Sequence, residues 1–319
     1  FYADWSEGKA FMHSHTYAGN PLGCAAALAV LLPLFLARTR YVSQQAGRRE
    51  RIAVLTRREA DVGTSVLFAG MEKAAEDDKL VLNYVMVPAD ADLETERQLA
   101  AQEIEDGASA LIIEPVAFEG SGKMAEELSQ RAVVVLLGER ADTEAAGRFG
   151  SVSADNYAIG VALGREIRKE AAERSGDVAL LPAEGAQGSV EQRRRGVQEA
   201  LRGSDISLQE EAEGAAIVAG LDDGALTEAL AYSLSAEERP LVYGIGNSNR
   251  NLYGLDRGDI RSMIVVNEFN MGYLAVAEAK KKLSSGLREM EQLRVGDTLV
   301  ARDTMFSAEN QKLLFPLVR

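Results

Sequence analysis

Cysteine and histidine are nearly absent from this 319-residue chain, which has one cysteine and two histidines, all between residues 13 and 24. A single cysteine cannot form a disulfide within the chain. Beyond residue 24 no imidazole or thiol is present, so Ser-His-Asp and Cys-His arrangements and histidine- or thiol-based metal sites are excluded there. No GxxxxGK[ST] phosphate loop occurs either. The sequence therefore predicts a protein that is not an enzyme and needs no cofactor or metal.

Positive charge is also scarce, because 49 acidic residues stand against 35 lysines and arginines and give a net charge of −14. Such a chain repels a phosphate backbone, so we expect it to bind no nucleic acid. Hydrophobic residues make up 46% and charged residues 26% of the chain, as in ordinary soluble globular proteins. The length is sufficient for two lobes, each with its own core.

From Arg51 onward, short apolar segments alternate with segments of helical periodicity. In a first series, the predicted strands are 51–56, 79–87, 110–115 and 132–137, and the predicted helices are 65–78, 93–107 and 122–131. A second series begins at 148–156. Its predicted strands are 177–182, 215–220, 240–246, 262–266 and 297–303, and its predicted helices are 157–174, 189–202, 222–233 and 271–285.

Strands that are apolar on both faces and alternate with helices form parallel sheets that are covered on both sides. The expected fold class is therefore α/β, with two lobes, each a mostly parallel sheet flanked by helices. We assign residues 50–150 and 267–298 to the first lobe, and 151–266 and 299–319 to the second. Ligands of open α/β sheets bind at the carboxyl ends of the strands, so the cleft between the lobes is the expected site.

One connection in the second lobe is too short for this pattern. Only residues 210–214 separate a further predicted strand, 205–209, from the strand at 215–220. Parallel strands of one sheet need a crossover of about a dozen residues, normally a helix. Either 206–209 is not a parallel strand, or the second sheet lacks one of its covering helices.

Three segments together resemble the type 1 periplasmic binding proteins, the family of ribose-type sugar receptors and of the sensor domains of lac-repressor-type regulators. They are "LLGERADTEAAGRFGSVSADNYAIGVALG" (136–164), "GAQGSVEQRRRGVQEAL" (185–201) and "GIGNSNRNLYGLDRGDIRSMIVVNEFNMGYLAVAEA" (244–279). The resemblance covers about 51–319 and implies the two-lobed fold of that family. It also implies an extracytoplasmic monomer that closes on a small polar ligand, a sugar or a sugar-like molecule.

The resemblance implies an ABC transporter permease or a sensor kinase as the membrane partner. An alternative from another class is the ligand-sensing domain of a transcription regulator. That alternative would require a helix-turn-helix before the first strand, and residues 34–50 are too short and too apolar at their start to form one.

The family also suggests which residues contact the ligand. Its acid–arginine pair after the fourth strand is matched by Glu139 and Arg140, and its helix-start arginine by Arg193. The remaining predicted ligand contacts are polar residues that follow strands: Arg57, Arg58, Asn247 and Asn267. Carboxylate, guanidinium and amide groups suit a polyol because each makes directional hydrogen bonds. Asp155 and Asn156 are predicted to hold the hinge and to cap the next helix.

One departure from the family leaves the ligand open. Sugar-binding members stack the ring of the sugar on aromatic residues in the loop after the first strand. Here that loop, "TRREADVGTS" (56–65), has no aromatic residue. A polar or charged small molecule bound by Arg57 or Arg58 is therefore an alternative to a sugar.

The N-terminal residues 1–31 resemble a different family, the class III pyridoxal-phosphate aminotransferases of the diaminopelargonate type, through "HTYAGNPLGCAAA" (15–27). In that family the threonine that corresponds to Thr16 reaches a cofactor phosphate. The lysine that binds the cofactor lies upstream of this motif and is absent here, so we expect no transaminase chemistry. We interpret residues 1–49 as a fused remnant followed by an apolar, signal-anchor-like segment at 24–37.

Overall fold

A computed structural model describes residues 50–57, 65–143, 147–171, 177–181, 188–286 and 289–315. All helices and strands described below belong to one compact unit, Arg51–Arg319. The signal-anchor-like segment and the aminotransferase-like segment lie outside the described residues. Among the described helices, none combines the length and apolar character needed to cross a bilayer.

Twelve strands form two sheets of six. In chain order the strands are β1 Arg51–Thr56, β2 Val81–Met86, β3 Ala110–Ile113, β4 Val133–Gly138, β5 Gly150–Ser153, β6 Val178–Leu181, β7 Leu208–Gln209, β8 Ile217–Gly220, β9 Leu241–Ile245, β10 Ser262–Val266, β11 Gln292–Arg294 and β12 Asp297–Ala301. The first sheet has the order β11-β5-β4-β3-β1-β2 and the second the order β12-β10-β9-β8-β6-β7. Every described strand pair is parallel except β10 with β12.

Nine helices lie among the described residues. In chain order they are α1 Val66–Asp78, α2 Leu93–Glu105, α3 Ser121–Leu128, α4 Asn156–Ala171, α5 Gly188–Leu201, α6 Asp223–Ser235, α7 Asn249–Arg257, α8 Glu268–Ser285 and α9 Ala308–Leu314. The helices α1 and α8 pack together against the first sheet, whereas α4 and α5 pack together in the second lobe. The predicted α/β fold with two mostly parallel, helix-covered sheets is confirmed.

The strands are buried on both faces because helices cover both sides of each sheet. In β1, the side chains of Ile52, Val54 and Leu55 are fully buried, although neighbouring residues of a strand project to opposite faces. The two faces of the first sheet belong to two separate apolar clusters. A continuous apolar run is what a doubly covered strand requires, and this pattern made the strands predictable.

The chain crosses between the lobes three times, and the crossings differ slightly from the predicted ones. Strand β5 pairs with β4, so the first crossing follows Ser153 rather than residue 150. The predicted second series therefore begins with a strand of the first sheet. Residues 297 and 298 pair with β10, so the last crossing precedes Asp297. The hydrophobic pattern could not place these boundaries, because a strand looks the same in either sheet.

Hydrogen bonds tie the three crossings to one another. The amide of Val295 donates to the carbonyl oxygen of Ser153 at 3.0 Å, and the amide of Asn267 donates to the carbonyl oxygen of Gly296 at 3.0 Å. The guanidinium of Arg294 also pairs with the carboxylate of Asp155 at 2.7 Å. These bonds place the crossings side by side at the base of the cleft.

The short connection in the second lobe contains no helix. Strand β7 has two residues and pairs in parallel with β6, so it is a parallel strand. The chain then reaches β8, on the other side of β6, through residues 210–216 without a helix. In the first lobe, α2 occupies the corresponding position between β2 and β3. The second sheet therefore lacks a counterpart of α2.

Candidate ligand cleft

A cavity of about 360 Å³ lies at the carboxyl ends of strands from both sheets. This is the expected ligand position in open α/β sheets. The volume is at the small end of the range for ligand pockets, which suits a molecule the size of a monosaccharide. The lining residues are Ser65, Val66, Glu114, Leu137, Gly138, Glu139, Ser189, Arg193, Asp222, Asp223, Gly224, Ile245, Gly246, Asn247, Ser248, Val266, Glu268 and Met271.

Glu139 follows β4 and lies between the two lobes. Its side chain is only 3% exposed. Its Oε1 accepts a hydrogen bond from the backbone amide of Ser189, in the first turn of α5, at 2.6 Å. A carboxylate is favoured at a helix N-terminus, where amide groups lack partners within the helix. Its Oε2 is buried and has no hydrogen-bond partner among the described residues.

Burial raises the pKa of Glu139 to about 7. The neighbouring carboxylate of Glu114 raises this pKa further, while hydrogen bonds from Ser189 and the charge of Arg193 oppose the increase. Near neutral pH the side chain therefore exists in both protonation states. It can accept hydrogen bonds as a carboxylate and donate one as a carboxylic acid.

Arg193, one turn further along α5, connects three parts of the cleft. Its Nε donates to Oδ1 of Asn156 at 3.0 Å, and its Nη1 donates to the carbonyl oxygen of Leu221 at 2.8 Å. Asn156 in turn donates from Nδ2 to the carbonyl oxygen of Gly138 at 3.1 Å. The guanidinium therefore links α5 to the first crossing and to the end of β8. The Arg193 side chain also lines the cavity.

The loop after β9 is held by the carboxylate of Asp223. Oδ1 of Asp223 accepts from the backbone amides of Asn247 at 2.7 Å and Ser248 at 2.8 Å. The side chain of Asn247 donates to Oε2 of Glu268 at 3.1 Å. These bonds hold the side-chain amide of Asn247 at the cavity wall, where it can exchange hydrogen bonds with a ligand.

Sequence reasoning missed several cavity residues that lie directly after buried strands. Glu114 follows β3, and its Oε2 accepts from the hydroxyl of Thr56 at 2.6 Å. Asp222 and Asp223 follow β8, and Glu268 follows β10 at the start of α8. The position of a charged residue just beyond an apolar strand was a sufficient signal for these four. Ser189 offered no such signal, because its role depends on a backbone amide.

The structure brings together Glu139, Arg193 and Asn247 of the predicted ligand contacts. Arg140 is exposed and does not line the cavity. Asn267 does not line it either, since its side chain caps α8 by accepting from the amide of Asn270 at 3.1 Å. Arg58 lies outside the described residues.

Arg57 also stays outside the cavity lining. Its Nη2 donates to the carbonyl oxygen of Val116 at 3.2 Å. It lies near the fully buried Glu96. Burial raises the pKa of Glu96 to about 7, although the Val116 amide and the charge of Arg57 oppose this increase. The structure thus places Arg57 in a buried polar cluster of the first lobe.

The two predicted hinge residues lie at the first crossing. Asp155 accepts from the amide of Ala158 at 3.1 Å in the first turn of α4 and pairs with Arg294 of the last crossing. Asn156 is 2% exposed and joins Arg193 to Gly138, as described above. Both side chains therefore hold crossing segments in place.

The charges at the cavity are mostly negative. Its described lining residues include five carboxylates, from Glu114, Glu139, Asp222, Asp223 and Glu268, and a single guanidinium, from Arg193. No aromatic side chain is among these lining residues. The described residues also contain no group of three or more His, Cys, Asp or Glu that could hold a metal ion. The site can therefore offer hydrogen bonds and charge, but no ring stacking from these residues.

Comparison with known proteins identifies the fold. The profile of a family described as "Periplasmic binding protein domain" matches residues 52–219. A carbohydrate transporter solute-binding protein from Agrobacterium radiobacter, solved with D-arabinose, has 19% sequence identity and a TM-score of 0.70, covering 83% of this chain and 99% of that one.

Two further solved structures agree. An ABC transporter solute-binding protein from Burkholderia graminis, also with D-arabinose, has 17% identity and a TM-score of 0.68, covering 81% of this chain and 97% of that one. A glucose-galactose binding protein from Geobacillus stearothermophilus has 14% identity and a TM-score of 0.66, covering 81% and 99%.

A curated relative matches a much smaller part of the chain. An adenosylmethionine-8-amino-7-oxononanoate aminotransferase from Anoxybacillus flavithermus is 66% identical over 29 residues, which is 9% of this chain. The chain spans only 6% of the length of that relative. The match agrees with the resemblance of residues 1–31 to aminotransferases, and it is too short to carry an aminotransferase fold.

Proposed function

Because the chain belongs to the periplasmic binding protein family, we propose that it works outside the cytoplasm. There it binds a sugar or sugar-like molecule in the cleft and delivers it to an ABC transporter. Proteins of this family bind solutes without converting them, so the chain is a binding protein and not an enzyme. The solved neighbours named above include two that hold D-arabinose and one described as binding glucose and galactose.

The observation that carries this proposal is the convergence of polar groups from both lobes on one small cavity. Glu139 comes from the first lobe, whereas Ser189, Arg193 and Asn247 come from the second. A sugar has hydroxyl groups around its whole ring, so it needs hydrogen-bond partners from both walls of the cleft. A bound ligand would then hold the lobes together in a closed form. A membrane partner can recognise this form because it differs from the open one.

We infer that the lobes move as two bodies about the three crossings. The first body comprises the first sheet with α1, α2, α3 and α8, and the second comprises the second sheet with α4 to α7 and α9. The backbone bonds between Ser153 and Val295 and between Gly296 and Asn267 keep the crossings aligned during such a motion. Both walls of the cleft belong to one chain, which supports the proposal that a monomer binds the ligand.

A thermal-shift screen tests the proposal, because a ligand that binds only the folded state raises the unfolding temperature. The panel should contain pentoses, hexoses, polyols, nucleosides and amino acids. We expect a sugar to raise the unfolding temperature of the parent chain and to have little effect on Arg193→Ala. The matched control is Arg195→Ala on the same helix, where Arg195 is exposed and pairs with Glu191. A shift from nucleosides or amino acids alone would contradict the proposal.

A further inference from the structure

The two lobes contact each other beside the ligand cavity through groups of the protein itself. Oε1 of Glu139, after β4 of the first lobe, accepts from the backbone amide of Ser189 in α5 of the second lobe at 2.6 Å. Next to this bond, Gly188 at the start of α5 lies directly against Phe118, in the loop between β3 and α3 of the first lobe. Phe118 and Gly188 do not line the cavity. Part of this contact between the lobes therefore lies outside the ligand site.

The contact is close because residue 188 has no side chain. A Cβ atom at Gly188 would overlap Cβ of Phe118 and would lie 2.5 Å from Oε2 of Glu139. Cβ of Phe118 is attached to the backbone and cannot move aside as the end of a flexible side chain can. Both obstructing residues belong to the other lobe, so a larger residue at 188 would keep the lobes apart without disturbing the core of either one.

The first-lobe half of the contact is held in place by its own loop. The carboxylate of Asp142 accepts from the backbone amides of Gly120 at 2.7 Å and Gly122 at 2.8 Å. Asp142 lies three residues after Glu139, whereas the two glycines follow Phe118 closely along the chain. These bonds therefore tie the loop of Phe118 to the segment of Glu139, so that both residues face α5 as one preformed surface.

A second bond between the lobes is of a different kind. Nδ2 of Asn247 in the second lobe donates to Oε2 of Glu268 in the first at 3.1 Å, and both residues line the cavity. A ligand in the cavity can compete for these two groups. It cannot replace the packing of Phe118 on Gly188, because that packing lies outside the cavity. The contact at Gly188 is therefore the one that can favour closure independently of the ligand.

We propose that Glu139 and Phe118 of the first lobe, with Gly188 and Ser189 of the second, form a lobe clasp that holds the cleft closed before a ligand binds, and that ligand affinity depends on it. This inference rests on the proposed function, since it names the contact that regulates the same cleft. A ligand that binds the closed form has an apparent affinity proportional to the closed fraction of the protein. The lobe clasp keeps this fraction high and so raises affinity from outside the cavity.

Gly188→Ala tests the lobe clasp. Alanine favours a helix more than glycine does, and the nearest atoms that its methyl group meets belong to the other lobe, so we expect the variant to fold. Small-angle X-ray scattering of the full chain without a sugar should give a larger radius of gyration for the variant than for the parent. The probes for titration calorimetry are D-arabinose, D-glucose and D-galactose. We expect the sugar that binds the parent most tightly to bind the variant about tenfold more weakly.

A second substitution should restore closure. Phe118→Gly removes the Cβ atom that the new methyl group overlaps. We therefore expect the double variant to have a radius of gyration and an affinity closer to those of the parent than Gly188→Ala has. Phe118→Gly alone loses the packing on Gly188 and should also enlarge the radius, which tests the lobe clasp even if circular dichroism shows that Gly188→Ala does not fold. The matched control is Glu191→Ala, on the exposed face of α5 outside the cavity, which should change neither measurement.

The outcomes separate the lobe clasp from the proposed function. A radius of gyration that is the same in the parent, Gly188→Ala and Phe118→Gly would overturn the lobe clasp and leave the proposed function in place. Weaker sugar binding without a larger radius would also overturn it, because residue 188 would then act on the ligand site directly. If none of the three sugars binds the parent, the proposed function fails, and the radius of gyration alone decides whether the clasp holds the lobes closed.

Discussion

Arg193 ties together three segments of the cleft. Its bonds to Asn156 and to the carbonyl oxygen of Leu221 hold α5 against the first crossing and against the end of β8. We expect Arg193→Ala to weaken ligand binding by about 2–3 kcal/mol, the cost of losing hydrogen bonds to a charged group in a closed site. Titration calorimetry with the sugar that gives the largest thermal shift measures this loss. Affinity equal to that of the parent chain would place the site elsewhere.

The buried glutamates make stability depend on pH. Burial raises the pKa of Glu96 and of Glu139 to about 7, well above the usual carboxyl value that applies in the unfolded chain. Between about pH 4.5 and 7 the folded state therefore holds more protons than the unfolded state. Stability falls as pH rises through this range, by up to about 3 kcal/mol for each carboxylate, and levels off above it.

Glu139→Gln tests this dependence, because an amide cannot ionise. We expect urea unfolding at a series of pH values to give a smaller decrease in unfolding free energy for Glu139→Gln than for the parent chain. Nearby charges that also act on Glu139 are Glu114 and Arg193, and both are unchanged in the variant. Glu191→Gln serves as the exposed control. Identical slopes for Glu139→Gln and the parent chain would show that this carboxylate ionises normally in the folded protein.

Three of the seven ligand contacts predicted from the sequence line the cavity. Glu139, Arg193 and Asn247 were found by their places in the family pattern, and all three line the cavity. Arg140 and Asn267 were predicted by the same reasoning and do not line it. The pattern gives the position of a residue along the chain, whereas the direction of its side chain depends on packing and capping that only the fold determines.

At the scale of elements, glycines set the close packing of α4 on α5. A Cβ atom at Gly160 would overlap the carbonyl oxygen of Arg193, and one at Gly196 would overlap that of Tyr157. Gly160→Ala must therefore push α5 outward, together with Ser189 and Arg193 in the cleft. We expect a loss of about 1–3 kcal/mol in unfolding free energy, as in other overpacked helix contacts, and weaker ligand binding. Denaturant unfolding and calorimetry measure the two effects.

The control for this substitution is Arg165→Ala, on the exposed face of the same helix. It should leave both stability and ligand affinity close to those of the parent chain. If Gly160→Ala were equally harmless, the two helices would have to pack less closely than the structure describes.

We expect the missing crossover helix to make the second lobe the less stable of the two. Residues 210–216 connect β7 to β8 without a helix, and Leu181 at the end of β6 is only half-buried. Residues of this connection, Ala212 and Ala215, and Tyr232 of α6 pack against that part of the core instead. We expect amide exchange to be faster in the strands β6 to β8 than in β1, β3 and β4, because local opening there exposes less buried surface. Equal protection of the two sheets would contradict this expectation.

Long, strongly apolar elements were predictable from the sequence, and short polar ones were not. Strand β11 has only three residues, and α7 is short and mostly polar in sequence, "NRNLYGLDR", so neither stands out as an apolar segment. Helix α7 is stabilised by tertiary bonds, since the fully buried side chain of Asn251 donates to both the carbonyl oxygen and the carboxylate of Asp223. Hydrophobic periodicity considers only neighbours along the chain, so it cannot reveal a contact of this kind.

At the level of the whole molecule, we assign the proposed binding function to residues 51–319. The family match covers residues 52–219, and residues 51–319 form one compact unit. We expect a chain without residues 1–49 to fold and to bind the same ligand with unchanged affinity. Circular dichroism and calorimetry on the shortened chain test this. A shortened chain that failed to fold would mean that the N-terminal residues contribute to the core.

The central claim is that one ligand is held by both lobes in the acidic cleft. Amide exchange measured by mass spectrometry, with and without the sugar of highest affinity, tests it most directly because it locates the ligand on the chain. We expect slower exchange at 137–139 of the first lobe, and at 188–193 and 246–248 of the second, since these segments contain residues that line the cavity. Slower exchange confined to one lobe, or located away from these segments, would contradict it.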